Sequence, residues 1–247
     1  MKFRAGIVLR ELIMSSIVSN LQAVHATIAA AARAVSREPH EVGLVAVSKT
    51  FDATDVLSAA DAGQRAFAEN YLQESLAKIA AVRAARPDLM LEWHFIGPIQ
   101  SNKTRPIAET FDWVHSVERE KIAQRLSDQR PSDLPDLNLC LQVNLSGEAS
   151  KSGALPEQTV AIARAIAVLP RVRLRGLMAI PAPALSFEAQ RAACAPLRRL
   201  FDDCNAAGLA LDTLSIGMSA DLAAAIAEGA TLVRVGSAIF GNRTYAE

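Results

Sequence analysis

Hydrophobic positions along the chain change from one regular spacing to another. Apolar residues recur three or four positions apart from Ile17 to Ala31, which is the spacing of a helix with one buried face, and Pro39 ends this element. Residues 42–47 (VGLVAV) instead form a short β-branched run typical of a buried strand. A helical stretch over 53–62 follows and stops at Gly63, a residue type favoured at helix C-termini.

The same strand-then-helix unit recurs to the end of the chain. Further strands are predicted over 65–68, 91–96, 113–116, 137–144, 172–180, 213–216 and 232–235. Helices are predicted over 70–86, 102–110, 119–130, 155–169, 187–207 and 222–228, with a short helix or turn from Ser237. Strands that alternate with helices form a parallel sheet covered by helices.

Eight such units in about 200 residues favour a closed barrel over a doubly wound open sheet, which is the alternative. The prediction is an α/β fold, a single (β/α)8 TIM-type barrel with an additional N-terminal helix. We expect a single domain over 1–247, made of an N-terminal segment and helix (1–40) and the barrel (41–247).

Composition narrows the classes of function. The 247 residues carry 26 Lys+Arg against 26 Asp+Glu, without the basic excess of a nucleic-acid binder. No segment approaches the ~20 apolar residues of a membrane span. The three cysteines form no CxxC pair, which is typical of a cytoplasmic protein.

The N-terminal segment does not have the pattern of a signal peptide. Its apolar patch, 5–9, is shorter than the ~7–15 residues of a signal h-region, and Arg10 and Glu11 interrupt it. Met14 is an alternative first residue, because Ser15 and Ser16 follow it and serine is a favoured helix N-cap.

Candidate chemistry lies where the predicted strands end, because barrel enzymes place active groups at the C-terminal ends of their strands. Lys49 follows the first strand, and a lysine beside apolar walls can form a Schiff base with a carbonyl compound. Two loops rich in Gly and Ser, 215–219 and 236–237, follow the seventh and eighth strands, where many barrels bind phosphate. Arg234, on the last strand, could donate to a heteroaromatic nitrogen. Together these groups match pyridoxal 5′-phosphate (PLP).

Several longer stretches resemble the YggS/PROSC family of PLP homeostasis proteins, which are related to the N-terminal barrel of alanine racemases. They are VAVSK (45–49), ENYLQE (69–74), EWHFIGPIQSNK (92–103), DQRPSDLPDLN (128–138), SKSG (150–153), RLRGLMAIPAP (173–183), LSIGMSADL (214–222) and VRVGSAIFG (233–241). The resemblance runs from Glu41 to Tyr245 without large gaps.

The resemblance implies a set of cofactor contacts. Lys49 would carry PLP as an internal aldimine, and Ser219, Gly236 and Ser237 would hold its phosphate, with Ser215 nearby. Arg234 would face the pyridine nitrogen, while Asn70 and Met178 would line the ring. Family members are described as PLP-binding proteins without established turnover that act in the supply and homeostasis of PLP and of amino and keto acids.

Two enzymatic alternatives stay open at this point. An amino-acid racemase needs a base on each face of the substrate α-carbon, and in alanine racemases the second base is a tyrosine from a C-terminal domain. This chain has two tyrosines, Tyr71 and Tyr245, and the barrel uses nearly its whole length, so we expect a non-catalytic carrier. A sugar-phosphate enzyme without PLP is the other alternative. We expect a monomer whose partners are PLP and apo PLP-dependent enzymes, although a dimer stays open.

Other polar residues are assigned structural roles at this stage. His94 is expected to be a hydrogen-bonded core residue and Cys140 a small buried hydrophobe. Lys151 is expected to be a solvated loop residue, with contact to a bound anion as the alternative. Gln100, Asn102 and Lys103 either rim the cofactor site or cap the following helix.

Overall fold

Eight parallel strands close into a barrel, in which each strand pairs with its neighbours in sequence and β1 pairs with β8. The structure, a computed structural model, describes the backbone of residues 2–146 and 151–241, and side chains from residue 16 onward. The strands are β1 (Gly43–Val47), β2 (Ala66–Glu69), β3 (Glu92–Phe95), β4 (Trp113–Val117), β5 (Leu137–Gln142), β6 (Val172–Met178), β7 (Thr213–Ser215) and β8 (Leu232–Val235). The predicted TIM-type barrel is confirmed, and the open-sheet alternative is wrong.

Helices connect the strands on the outside of the barrel. They are α1 (Lys2–Ala34), α2 (Ala53–Asp61), α3 (Leu72–Ala85), α4 (Thr104–Thr110), α5 (Glu120–Gln129), α6 (Thr159–Ala167), α7 (Phe187–Ala206), α8 (Leu222–Ala227) and α9 (Ser237–Phe240). Gly63 follows α2 with φ 101°, a value that glycine adopts without steric cost, as expected for a residue after a helix.

The first helix is longer than its apolar spacing predicts. Helix α1 continues without interruption from Lys2 through residues 14–16, so Ser15 and Ser16 lie inside it and do not cap its N-terminus. Serine is tolerated within helices, where its hydroxyl can bond to the backbone, and Met14 as an alternative first residue stays a prediction. No helix of the described residues combines the length and the apolar character that a membrane crossing requires.

Apolar side chains cover both the outer and the inner face of the barrel sheet. The outer layer lies between strands and helices and includes Ile17, Leu21 and Ile28 of α1, which packs against α2, α8 and α9. Side chains inside the barrel form smaller apolar groups, one around Val45 and Val47 and another around Trp113 and Met178. The barrel interior also holds buried polar side chains. In most such barrels, bulky apolar residues dominate the interior.

Candidate functional site

A cavity of about 1370 Å³ opens at the C-terminal ends of the strands, where barrel enzymes bind their ligands. Most of the predicted cofactor residues line it: Lys49, Asn70, Met178, Ser219, Arg234, Gly236 and Ser237. Ser215 does not line the cavity, because its fully buried hydroxyl lies beneath the floor and contacts Arg234. The closed barrel therefore brings together residues that are far apart in sequence.

Lys49 lies on a short loop after β1 whose neighbouring residues are held on both sides. Ser48 donates its backbone N–H to Ala68 O and its hydroxyl to Glu69 Oε1, at 3.0 and 2.6 Å. Thr50 has φ 69°, an unfavourable value for a β-branched residue, and its N–H donates to Glu74 Oε1 at 2.6 Å. Strained backbone of this kind clusters at functional sites, where the surrounding structure holds it in place.

A buried ion pair between Lys78 and Glu69 anchors this loop, and Lys78 was not among the residues predicted from the sequence. Lys78 Nζ lies 2.7 Å from Glu69 Oε1, 3.0 Å from Glu74 Oε1 and 2.7 Å from Ser48 O, and both Lys78 and Glu69 are buried. Burial raises the pKa of Glu69, and the neighbouring lysine opposes that rise. The available signal was position, because Lys78 falls on the helix face that Ser75, Ile79 and Val82 bury.

Arg234 is a buried cation that forms no ion pair with an Asp or Glu among the described residues. Its Nη1 donates to the carbonyl and the hydroxyl of Ser215, both at 2.6 Å, and its Nη2 donates to Ala179 O at 3.0 Å. Burial lowers the pKa of Arg234 to about 10. Burying a charge without an opposite charge is costly, so this guanidinium is suited to a ligand group that accepts hydrogen bonds at the cavity floor.

Two loops present backbone donors to the cavity. Within the described residues, no group accepts a hydrogen bond from the N–H of Ser219, Ala220, Gly236 or Ser237, and all four residues line the cavity. The loops are tied together by Arg234 N–H, which donates to Gly217 O at 2.9 Å. Converging N–H groups of this kind form an anion-binding site.

Both loops pass close to the barrel at a glycine. Gly217 has φ 102°, and a Cβ there would lie 2.6 Å from Ala225 Cβ, so a side chain would be both strained and crowded. At Gly236 a Cβ would lie 3.1 Å from Val47 O, a tight contact that a small shift of the neighbouring atoms would have to relieve.

The remaining wall is mostly apolar, with a few polar groups at its rim. Ile96, Pro98 and Ile99 line the cavity after β3, while Gln100, Asn102 and Lys103 do not, and Ser101–Lys103 form a 3₁₀ turn before α4. Lys151 is exposed and lines the mouth, where its carbonyl accepts from Asn144 Nδ2 at 3.0 Å. Ser150 of the SKSG stretch and Tyr245 lie outside the described residues.

The structural roles expected for His94 and Cys140 are confirmed. His94 is fully buried and bonded through both ring nitrogens, to Glu92 and to His115. Cys140 is buried and free, as are Cys194 and Cys204, and burial raises the pKa of the Cys140 thiol to about 12. Across the described residues, the acidic, histidine and cysteine side chains form no group that could hold a metal ion.

Comparison with known proteins shows similarity over nearly the whole chain. Residues 19–244 match the family model described as alanine racemase, N-terminal domain. The chain is 62% identical to a pyridoxal phosphate homeostasis protein of Pseudomonas aeruginosa, over 94% of this chain and 98% of that protein. It is 37% identical to PipY of Synechococcus elongatus, solved with PLP bound, with a TM-score of 0.78 over 91% of this chain and 100% of PipY.

Alanine racemases themselves are more distant and longer. The alanine racemase of Clostridium difficile matches with a TM-score of 0.70 at 14% identity, over 94% of this chain and 58% of the racemase. Similarity at so low an identity shows a shared barrel fold and nothing more. The relatives of higher identity match this chain over almost all of their own length.

Proposed function

Because this chain belongs to the alanine racemase N-terminal domain family and, within it, to the pyridoxal phosphate homeostasis proteins, we propose that it binds PLP in the barrel cavity and acts in the homeostasis and supply of the cofactor. The observation that carries the proposal is the convergence in one cavity of three groups: a lysine, a buried guanidinium with no carboxylate partner among the described residues, and backbone N–H groups for which the same part of the chain supplies no acceptor. PLP supplies an aldehyde that a lysine amine can bind, a pyridine nitrogen and a phosphate.

Each part of the cavity fits one part of that molecule. Lys49 is the residue that we propose binds the cofactor covalently through Nζ. Arg234 would donate to the pyridine nitrogen, and because a guanidinium has no acceptor it would keep that nitrogen unprotonated. The N–H groups of the two glycine-containing loops, with the hydroxyls of Ser219 and Ser237, would hold the phosphate. Asn70 and Met178 would line the ring, and Ser215 would act from beneath by holding Arg234.

The geometry supports a carrier better than a racemase. Arg234 disfavours protonation of the ring, and an unprotonated ring is a weaker electron sink for carbanion chemistry. Among the described residues no tyrosine lines the cavity, since Tyr71 lies at the start of α3 outside it. We propose that the protein holds and releases PLP without turnover, as a cytoplasmic monomer that transfers it to apo PLP-dependent enzymes. The three free buried cysteines support the reducing compartment.

An absorbance titration with PLP followed by borohydride reduction tests the proposal. We expect a saturable visible band, and after reduction and proteolysis a PLP mass on the peptide that contains Lys49. Arg234→Gln should raise the Kd for PLP about tenfold or more, because a hydrogen bond to a charged group is worth ~1.5–3 kcal/mol. Arg173→Gln, at an exposed arginine of β6, is the matched control and should leave Kd unchanged. The absence of a saturable band would refute PLP binding, and a label only on other peptides would refute the role of Lys49.

A further inference from the structure

A continuous row of hydrogen bonds crosses the barrel interior beneath the cavity. Glu92 Oε1 lies 2.8 Å from His94 Nε2, and His94 Nδ1 lies 2.8 Å from His115 Nε2. His115 Nδ1 lies 2.7 Å from Ser215 Oγ, which accepts from Arg234 Nη1 at 2.6 Å. These side chains come from β3, β4, β7 and β8, so the row connects opposite sides of the barrel.

When both histidine rings are neutral, the two ends of the row fix the direction of every hydrogen bond in it. The guanidinium of Arg234 can only donate, and the carboxylate of Glu92 can only accept. With both rings neutral, one assignment satisfies all four bonds: Ser215 donates to His115 Nδ1, His115 donates from Nε2 to His94 Nδ1, and His94 donates from Nε2 to Glu92. Burial holds the pKa of His115 well below its usual value, which favours the neutral form of that ring.

The row joins the cavity to the opposite end of the barrel. Arg234 lines the cavity at the C-terminal ends of the strands, whereas Glu92 is the first residue of β3 and its side chain is 48% exposed. His94, His115 and Ser215 between them are fully buried. Barrel interiors are normally filled with bulky apolar residues, and buried polar groups are favourable only when every partner is present. A hydrogen-bonded row that ends on Arg234, which has no carboxylate partner in the part of the chain that the structure describes, is therefore suited to a role beyond packing.

We propose that Glu92, His94, His115 and Ser215 are positioning residues that form one hydrogen-bonded relay, holding Arg234 toward the cavity and coupling it to the solvent-exposed carboxylate at the other end of the barrel. The relay extends the proposed function, since Arg234 is the group assigned to the PLP ring. Hydrogen bonds in a row polarise one another, so a new acceptor at Arg234 changes the bonds further along. Coupling of this kind is reciprocal, and a change at Glu92 therefore alters PLP affinity.

Nitrogen NMR of the histidine rings tests the relay directly. In protein with 15N-labelled histidine, we expect His94 and His115 both neutral and both protonated on Nε2. Addition of PLP should shift the ring-nitrogen signals of His94, although His94 does not line the cavity. In Ser215→Ala, at saturating PLP, the His94 shift should shrink to the scatter of repeat measurements, because the relay is interrupted.

Glu92→Gln is the second variant, and because the side chain is half-exposed and its shape is retained, we expect the protein to fold as the parent does. A neutral acceptor makes a weaker bond than a carboxylate, so the Kd for PLP should rise about threefold and the His94 Nε2 signal should move. The control is Glu109→Gln, a carboxylate of similar exposure on α4 that lies outside the row. It should change neither quantity.

The outcomes separate this inference from the proposed function. If absorbance shows that PLP binds but the His94 signals stay fixed, or respond equally in Ser215→Ala, the relay is refuted and PLP binding stands. An unchanged Kd in Glu92→Gln would likewise refute the coupling. If no PLP binds at all, the proposed function fails, and the relay fails with it as a device for that ligand.

Discussion

At the scale of single residues, the side chains that face the cavity depend on partners that tertiary packing brings to them. Lys49, Arg234 and Gly236 follow or end strands, and the barrel rule alone places them at one face. The partners of Lys78 and His115 could not be predicted in this way, because tertiary contacts determine them. His115 and Ser215 are 100 positions apart in the chain, and their contact exists only because β4 and β7 face each other across the barrel.

The Lys78–Glu69 pair makes a prediction about stability. Lys78→Met leaves the buried Glu69 carboxylate without its cation, which costs ~3–5 kcal/mol when a buried pair is broken. Because burial already raises the pKa of Glu69, the native state holds this proton to a higher pH than the unfolded chain does. Such a group favours the native state at low pH, and that contribution is lost as pH rises through the raised pKa.

The loss of stability in Lys78→Met should therefore be larger at neutral pH than below the ordinary pKa of 4.5, where Glu69 is protonated in both states. Urea denaturation at pH 7 and at about pH 4 measures the difference. Lys121→Met, at an exposed lysine of α5, is the control and should stay within ~0.5 kcal/mol of the parent protein. An equal loss at both pH values would contradict the assigned charge states.

At the scale of elements, the order and type of strands and helices were predictable from the spacing of hydrophobic residues. A helix with one buried face has apolar residues three or four positions apart, and a strand buried on both faces is a short continuous apolar run. Residues 42–47 and 232–235 read as strands since the barrel buries both of their faces. The start of α1 was not predictable in this way. Helix α1 extends to Lys2, whereas the apolar spacing that predicted it starts at Ile17, so the spacing did not mark the first residue of the helix.

Helix α1 stabilises the barrel on the side that carries α9. Its buried residues pack against α8 and α9. Asn20 Nδ2 donates to Ile239 O at 2.9 Å, and Ile239 lies in α9, the short helix that begins at Ser237. Leu21→Ala should lower the free energy of unfolding by ~2–5 kcal/mol, because a buried leucine leaves a cavity. Val18→Ala, on the exposed face of the same helix, should cost less than ~0.5 kcal/mol. Chemical denaturation of the two variants decides whether α1 is part of the cooperative fold, and equal losses would contradict that.

At the scale of the whole molecule, shared fold and shared chemistry must be separated. The barrel matches an alanine racemase over 94% of this chain but only 58% of the racemase, and the fold alone carries no activity. The chemistry that the barrel can perform depends on the side chains that line the cavity. Racemisation requires a second base opposite the lysine. Among the described residues, the cavity lining holds no tyrosine or histidine, and its ionisable side chains besides Lys49 and Arg234 are Glu118 and Lys151.

The PLP-loaded protein should therefore form no D-alanine from L-alanine. Two physical reasons act together: the described cavity lining holds no tyrosine, the residue expected as the second base of a racemase, and Arg234 in its proposed contact with the ring nitrogen would make the ring a poor electron sink. Incubation in D2O with chiral chromatography and mass analysis separates the possibilities, because a single base would exchange the α-proton with retention while two bases would invert the centre. D-Alanine that forms in the parent protein and disappears in Lys49→Ala would overturn the carrier assignment. Exchange without inversion would instead show that Lys49 reaches the α-carbon and that the opposite face is where this barrel differs from a racemase.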